Sequence, residues 1–322
     1  MFSLPFLQFL GIIFFSIILI KGTDIIVIHL KSIARKTNLG SFYLTAIIIG
    51  MATSLPELFV GITSALKNQS NLSLGNVIGS NIADMSLIVG LAAVIGGSLK
   101  VKNHDIEARD LLHAFIAGII PFLLLLDKTL SRVDGLILIS MYGFYNYLIL
   151  NKRRKYFEDE DGIIIGLLRR IHHNHVGKDF MYTFLGISAI LFSSDMIVRL
   201  SSSFAKDMGI PIILVGLFIV AVGTSLPELA FEIEAIKKKE SEMFLGNLLG
   251  SIVANGTFIL GITALLNPIT VHAISEYYIA IFTFIVAFIM FFIFIRTKKR
   301  LERWEGILLI VAYLMFLIIE FF

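Results

Sequence analysis

The 322-residue chain contains no cysteine, one tryptophan and six prolines, and charged residues make up 16% of it. The absence of cysteine excludes disulfides, thiol chemistry and every cysteine-ligated metal site. The shortage of charge excludes a soluble globular domain, which carries about 25% charged residues. With 57% hydrophobic residues and a mean hydropathy of +0.88, the chain belongs in lipid. Proline is scarce, yet two of the six occur in one repeated string, Thr-Ser-Leu-Pro-Glu, at 53–57 and 224–228.

Apolar stretches long enough to cross a bilayer fall near 5–30, 41–66, 73–98, 111–126, 133–150, 180–205, 210–236, 244–266, 276–295 and 304–322. The expected fold class is therefore an all-α integral membrane protein with ten transmembrane helices. The first stretch lacks a basic leader and a small-residue cleavage site, so it reads as a retained helix rather than a signal peptide. Of the 27 Lys and Arg residues, 21 lie in the loops after spans 1, 3, 5, 7 and 9 and five on the opposite side, with Lys21 inside span 1. That asymmetry predicts a multi-pass cell-membrane protein with both termini extracytoplasmic.

Sliding the sequence against itself gives one offset, 171 residues, at which the halves align without a gap. It superposes the two Thr-Ser-Leu-Pro-Glu strings, Gly75-Asn76 on Gly246-Asn247, Gly79-Ser80 on Gly250-Ser251, and Asp134-Gly135 on Glu305-Gly306. Five spans is an odd number, so the halves enter the membrane from opposite sides as an inverted repeat with its site at the midplane. The predicted organisation is a first repeat at 1–151 (motif 50–90), a cytoplasmic linker at 152–178 and a second repeat at 179–322 (motif 221–261).

Pro56 and Pro227 lack the N–H that would bond the carbonyls of Ala52 and Gly223, so each string predicts a broken helix whose freed carbonyl needs another partner. Glu57 and Glu228 follow the breaks, with Thr53 and Thr224 four residues earlier on the same face. Carboxylate, hydroxyl and carbonyl oxygen together form the all-oxygen shell that hard cations such as Na⁺ and Ca²⁺ take. Asn76, Ser80 and Asp84 in the next span, and Asn247, Ser251 and Asn255 in its counterpart, add oxygens at helical spacing. Gly75-x-x-x-Gly79 and Gly246-x-x-x-Gly250 are small-residue faces for close helix approach.

These strings with their surroundings, Ala-Thr-Ser-Leu-Pro-Glu-Leu (52–58) with Gly-Asn-Val-Ile-Gly-Ser-Asn (75–81) and Gly-Thr-Ser-Leu-Pro-Glu-Leu (223–229) with Gly-Asn-Leu-Leu-Gly-Ser (246–251), resemble the two alpha repeats of the sodium/calcium exchanger family within the cation/calcium antiporters. The resemblance implies Na⁺/Ca²⁺ exchange by alternating access, with spans 1 and 6 sliding as a gate. It implies Ca²⁺ coordination by Glu57, Glu228, Thr53, Thr224 and the backbone carbonyls of Gly50 and Ala221. The Na⁺ sites it implies use Ser54, Ser225, Ser80, Asp84, Ser251 and Asn255. One departure stands out: the family pattern leads us to expect Asn in the first repeat and Asp in the second, whereas here Asp84 precedes and Asn255 follows. Three carboxylates match three Na⁺; one Ca²⁺ leaves a single negative charge, so a proton on Asp84 is expected to accompany Ca²⁺.

The expected substrates are Ca²⁺ and Na⁺, the surroundings a lipid bilayer, with no cofactor, no nucleic acid and no enzymatic role. The rivals are a proton/calcium or K⁺-dependent exchanger and, from another class, a cation channel. Proton-coupled members carry Gly-Asn-x-x-Glu where this chain has Gly-Asn-x-x-Gly, and a channel filter is usually drawn from several subunits or an open pore. An intramembrane hydrolase fails because no catalytic Ser-His, His-Glu-x-x-His or paired-Asp pattern lies in the spans. Glu232, with Glu234 close by, reads either as the lining of a cytoplasmic entrance or as a solvated helix end answering Lys237 to Lys239. Asp24 and Asp195, matched by the repeat, read as structural hydrogen-bonding groups. His172, His173 and His175 read as part of a solvated linker, and the aromatic-rich segment from Tyr277 to Phe294 as lipid-facing helix.

Overall fold

A computed structural model of the chain describes residues 4–37, 53–101, 108–154, 177–271 and 274–321. Within them the protein is almost wholly helical, because a backbone in lipid must satisfy its own N–H and C=O groups. The first half contributes α1 (Leu4–Thr37), α2 (Leu55–Leu66), α3 (Ser70–Gly96), α4 (Ala108–Leu124) and α5 (Arg132–Arg154). The second contributes α6 (Gly177–Met208), α7 (Ile212–Thr224), α8 (Leu226–Lys238), α9 (Ser241–Val253, continuing through Ala254–Ile259 to Leu260–Leu266), α10 (Ile274–Lys298) and α11 (Arg303–Phe321). Two-residue strands β1 (Leu99–Lys100), β2 (Thr129–Leu130), β3 (Ile269–Thr270) and β4 (Arg300–Leu301) sit in the loops.

Each expected apolar stretch is helical where it is described; of 41–66, only the part from residue 53 is. By length and apolarity, six helices among the described residues can cross a membrane, and the pair α7 and α8, bent by 42° at its break, makes a seventh. The His172, His173 and His175 cluster lies outside the described residues.

α3 and α9 form the centre, with far more of their length buried than any other span. α3 meets α7 backbone to backbone: a methyl group on Gly75 would lie 2.1 Å from the Ile213 carbonyl oxygen, and one on Gly79 2.1 Å from that of Leu217. Only glycine permits that approach, as the small-residue pattern predicted. No described atom lies within 4 Å of the same positions on Gly246 and Gly250. α10 departs from expectation. Tyr277, Ala280, Phe284, Ala287, Phe288, Phe291 and Ile295 are buried in the core, while Tyr278, Phe282, Ile289 and Ile293 are exposed. This segment is thus not simply lipid-facing; its inward residues recur at helical spacing and pack on Phe115 and Phe122 of α4.

Many local features recur 171 residues apart. The four described non-glycine residues with positive φ form two such pairs, Asn68 (58°) with Lys239 (59°) and Lys128 (69°) with Lys299 (48°). Contacts between the halves also recur with the partners exchanged. A methyl on Gly90 would meet the Gly306 carbonyl oxygen at 2.6 Å, and one on Gly135 would meet that of Gly261 at 2.7 Å. The strands pair across the halves as well, β1 with β4 (Leu99 opposite Leu301) and β2 with β3 (Leu130 opposite Ile269). Leu130 and Leu301 keep the separation of 171, whereas Leu99 corresponds to Ile269, one residue short, so the correspondence slips by a residue at β1 and β3.

Candidate functional site

The two proline strings build the same local structure. Ser54 (φ −85°, ψ 7°) and Ser225 (φ −82°, ψ 5°) stand immediately before α2 and α8, and each proline occupies the first helical turn, where its missing N–H costs nothing. Glu57 and Glu228 thereby fall in the first turn of their helices, where exposed backbone N–H groups and the helix dipole favour negative charge. Both are buried, at 0% and 1% exposure. A buried carboxylate costs several kcal/mol even after relaxation, so the helix terminus is only partial compensation.

Facing these turns are α3 and α9. Asn76 on α3 accepts a hydrogen bond from the Thr224 hydroxyl at 3.1 Å, and Asn247 on α9 accepts one from Thr53, also at 3.1 Å. The two asparagines, singled out in the sequence as oxygen ligands, here aim the threonine hydroxyls. Ser80 donates to Glu57 Oε1 at 3.3 Å and lies 3.4 Å from the Thr224 hydroxyl. Ser251 donates to Asp84 Oδ2 at 2.9 Å, joining the two central helices. Asn255 donates its amide to Asn81 Oδ1 at 3.1 Å, leaving its own Oδ1 without a partner. Ser54 and Ser225 are buried, and neither hydroxyl has a hydrogen-bond partner.

Asp84 begins a π-helical segment, Asp84–Ile88, and Asn255 lies in its counterpart, Ala254–Ile259. Such segments widen the turn and are common at functional sites. Gly50 lies outside the described residues. The Ala221 carbonyl oxygen accepts from the Ser225 N–H (3.0 Å) and lies 3.2 Å from the Thr224 hydroxyl, whose single proton serves either it or Asn76, so it is not brought in as a wholly free ligand. The other ten expected residues gather on α2, α3, the break between α7 and α8, and α9.

The unpartnered buried oxygens are informative. They include Glu57 Oε2, Asp84 Oδ1, both carboxylate oxygens of Glu228 and the hydroxyls of Ser54 and Ser225. No Lys, Arg or His is buried among the described residues. Among the described residues the negative charge therefore has no cationic side chain to answer it, which leaves bound cations or protons to neutralise it. Among the described residues no three acidic or imidazole groups converge on one point; the carboxylates are spread through the interior, interleaved with hydroxyls and amides.

One expectation changes. Glu232 is not a solvated helix end: it is fully buried with neither carboxylate oxygen partnered, and the helix-end partner of Lys238 is Glu234, at 2.7 Å. Its burial was not legible because it lacks a repeat counterpart and adjoins a lysine run. Asp195 makes ion pairs with Lys67 and with Arg199 (2.7 Å), in keeping with a structural role, whereas among the described residues Asp24 pairs with exposed Lys21 at 3.5 Å.

A family model described as sodium/calcium exchanger protein matches residues 7–151 and 178–322. The chain is 28% identical to the sodium/calcium exchanger MaX1 of Methanosarcina acetivorans, covering 97% of each chain. It is likewise 28% identical to the inner membrane protein YrbG of Escherichia coli, over 78% of each. Among solved structures it resembles the sodium-calcium exchanger NCX_Mj soaked with Na⁺ and Sr²⁺, with a TM-score of 0.63, 23% identity, and coverage of 97% of this chain and 98% of that one.

Proposed function

Since the chain belongs to the sodium/calcium exchanger family, we propose that it is a secondary active antiporter that exchanges Na⁺ for Ca²⁺ across the cell membrane by alternating access to one buried site. The observation that carries this reading is the group of buried carboxylates, Glu57, Glu228 and Asp84, with unpartnered oxygens and no buried cationic side chain among the described residues to neutralise them. Such a site is neutralised by bound cations or protons, and cations that displace one another from shared carboxylates are what exchange requires.

Ca²⁺ binds between Glu57 and Glu228 with the hydroxyls of Thr53 and Thr224, each oriented by an asparagine of the other half. The carbonyls of Gly50 and Ala221 complete the shell, Ala221 through the lone pair that its bond from the Ser225 N–H leaves. Na⁺ occupies positions built from Ser54, Ser80, Asp84, Ser225, Ser251 and Asn255. Ca²⁺ and Na⁺ compete for the same carboxylates, so one leaves as the other binds. The frame for this exchange is ten spans in two inverted halves of five, with both termini extracytoplasmic. Its support is the recurrence of backbone features at 171 residues and the exchange of partners between halves at Gly90–Gly306 and Gly135–Gly261.

The test is Ca²⁺ uptake into proteoliposomes loaded with Na⁺, compared with K⁺ inside or with an imposed pH gradient. Uptake is expected only with internal Na⁺, and Glu228→Gln is expected to abolish it. Uptake that ignores the Na⁺ gradient sinks the proposal.

A further inference from the structure

Glu232 is a buried acid that the exchange site as described does not use. It lies one turn beyond Glu228 on α8, fully buried, with both carboxylate oxygens unpartnered. α8 packs against the part of α3 that begins at Asp84, so the two acids lie on elements in contact. Asp84 has one oxygen held by Ser251 and the other, Oδ1, free. The nearby lysines do not answer Glu232, since Lys238 is engaged by Glu234 and both are exposed.

The corresponding place in the first half is built differently. Gly61 stands where Glu232 would be, and a methyl there would meet the Thr263 hydroxyl at 3.0 Å and the Ser73 hydroxyl at 3.1 Å. Those hydroxyls bond each other at 3.0 Å, so that side is filled by a neutral, satisfied pair. The matched positions thus differ in chemistry: a glycine over a closed hydroxyl pair in one half, and a buried acid with free oxygens in the other.

We propose that Glu232 and Asp84 together bind a Na⁺ ion on the side of the central site where α8 ends. This rests on the exchange reading for its occupant, and it makes the two ends of the ion pathway chemically unequal. The test is the thermal unfolding of purified protein in detergent as a function of Na⁺ or Ca²⁺ concentration, where the dependence of Tm on ln[Na⁺] counts bound ions. Glu232→Gln is expected to lose one Na⁺ from that dependence while its Ca²⁺ response shifts less than about threefold. Glu232→Asp, which keeps the charge but shortens its reach, is expected to keep the count with weaker Na⁺ affinity. An unchanged Na⁺ count in Glu232→Gln overturns the proposal, as does a change confined to Tm without ions. If wild type binds Na⁺ in this way but Na⁺ does not drive Ca²⁺ uptake, the exchange reading fails and the Na⁺ site stands.

A second inference has an independent basis. Lys67 and Asp195 form an ion pair, reinforced by Lys67 Nζ donating to the Asp195 carbonyl (3.2 Å) and by Thr63 beside Ser194 (3.1 Å). At 171 residues, Lys67 corresponds to Lys238 and Asp195 to Asp24. That equivalent pair is not made: Lys238 binds Glu234, and Asp24 binds Lys21. In keeping with this, α6 packs along α2, whereas α1 has no comparable packing on α8 among the described residues.

We infer that Lys67–Asp195 and Lys238–Asp24 are alternative latches, one closed in each of the two access states of the inverted repeat. The cysteine-free chain permits a direct test. Lys67→Cys with Asp195→Cys, and separately Asp24→Cys with Lys238→Cys, are bridged with a bis-maleimide in Na⁺ and in Ca²⁺ media. Conditions that raise one yield are expected to lower the other, and bridging either pair is expected to stop transport. Yields that move together, or a 24–238 pair that never bridges in any ion condition, overturn the latch. The charge-reversed double variant Lys67→Asp/Asp195→Lys is expected to recover transport that Lys67→Asp alone loses; failure of that recovery also counts against it.

Discussion

Replacing Asp84 by asparagine removes one unit of buried charge while leaving the side chain's shape, and the structure allows the effect to be sized. Ser251 can still donate, now to the carbonyl oxygen of the new amide, in place of the 2.9 Å bond to Asp84 Oδ2. The amide then turns its NH₂ toward the oxygen-lined interior, where a donor repels a cation. A carboxylate about 4 Å from a cation contributes roughly 4 kcal/mol at an effective dielectric of 20. Part of that is returned because a neutral amide is less costly to bury. We expect about 1.4–2.7 kcal/mol net, a 10- to 100-fold rise in the Na⁺ concentration for half-maximal Ca²⁺ exchange. The ion-free protein is expected to melt higher, because fewer uncompensated charges remain. The assay is Na⁺-driven uptake of labelled Ca²⁺ at several pH values, since a proton on Asp84 would also vanish with the carboxylate. Unchanged Na⁺ dependence together with unchanged pH dependence would refute the reasoning. The double exchange Asp84→Asn/Asn255→Asp is expected to recover part of the loss, provided the Asn81 amide turns over to donate to the new carboxylate rather than oppose it.

Three further outcomes follow from the packing. Asn247→Ala and Asn76→Ala each release one threonine hydroxyl; both are expected to weaken half-saturation by Ca²⁺ about 3- to 10-fold, the scale of one hydrogen bond, and unequal effects would mean the halves are not functionally matched. Gly79→Ala places a methyl 2.1 Å from the Leu217 carbonyl oxygen, so a loss of about 1–3 kcal/mol is expected in detergent unfolding. Gly143→Ala meets nothing within 4 Å and is expected to be neutral or slightly stabilising by the same measurement.

What the sequence made legible was whatever the chain states twice. The repeated Thr-Ser-Leu-Pro-Glu string marked the broken helices because proline in mid-span has one physical consequence, and the helix starts at Leu55 and Leu226 fall where it requires. Glu57, Glu228, Thr53 and Thr224 were singled out by the same route, whereas Ser54 and Ser225 entered through the family resemblance. Glu232 occurs once, beside a lysine run, and its burial depends on how α8 packs against α3, which no local pattern encodes. The inward face of α10 was hidden for a related reason: when every residue is apolar, composition cannot say which side meets protein and which meets lipid. The π-helical segments at Asp84 and Asn255 had no sequence signal at all.

α1 and α6 are antiparallel partners of 34 and 32 residues, about 51 and 48 Å long at 1.5 Å per residue, against a hydrocarbon layer of about 30 Å. Residues such as Leu10, Phe14 and Ile17 on one and Phe184, Leu191 and Phe192 on the other are exposed, so under the proposed exchange, with this pair as the gate that the family resemblance implies, much of the moving surface slides against acyl chains rather than protein. Membrane thickness then enters the turnover rate directly: a bilayer that fits one tilt of this helix pair better than the other biases the cycle even when both ion gradients are held fixed.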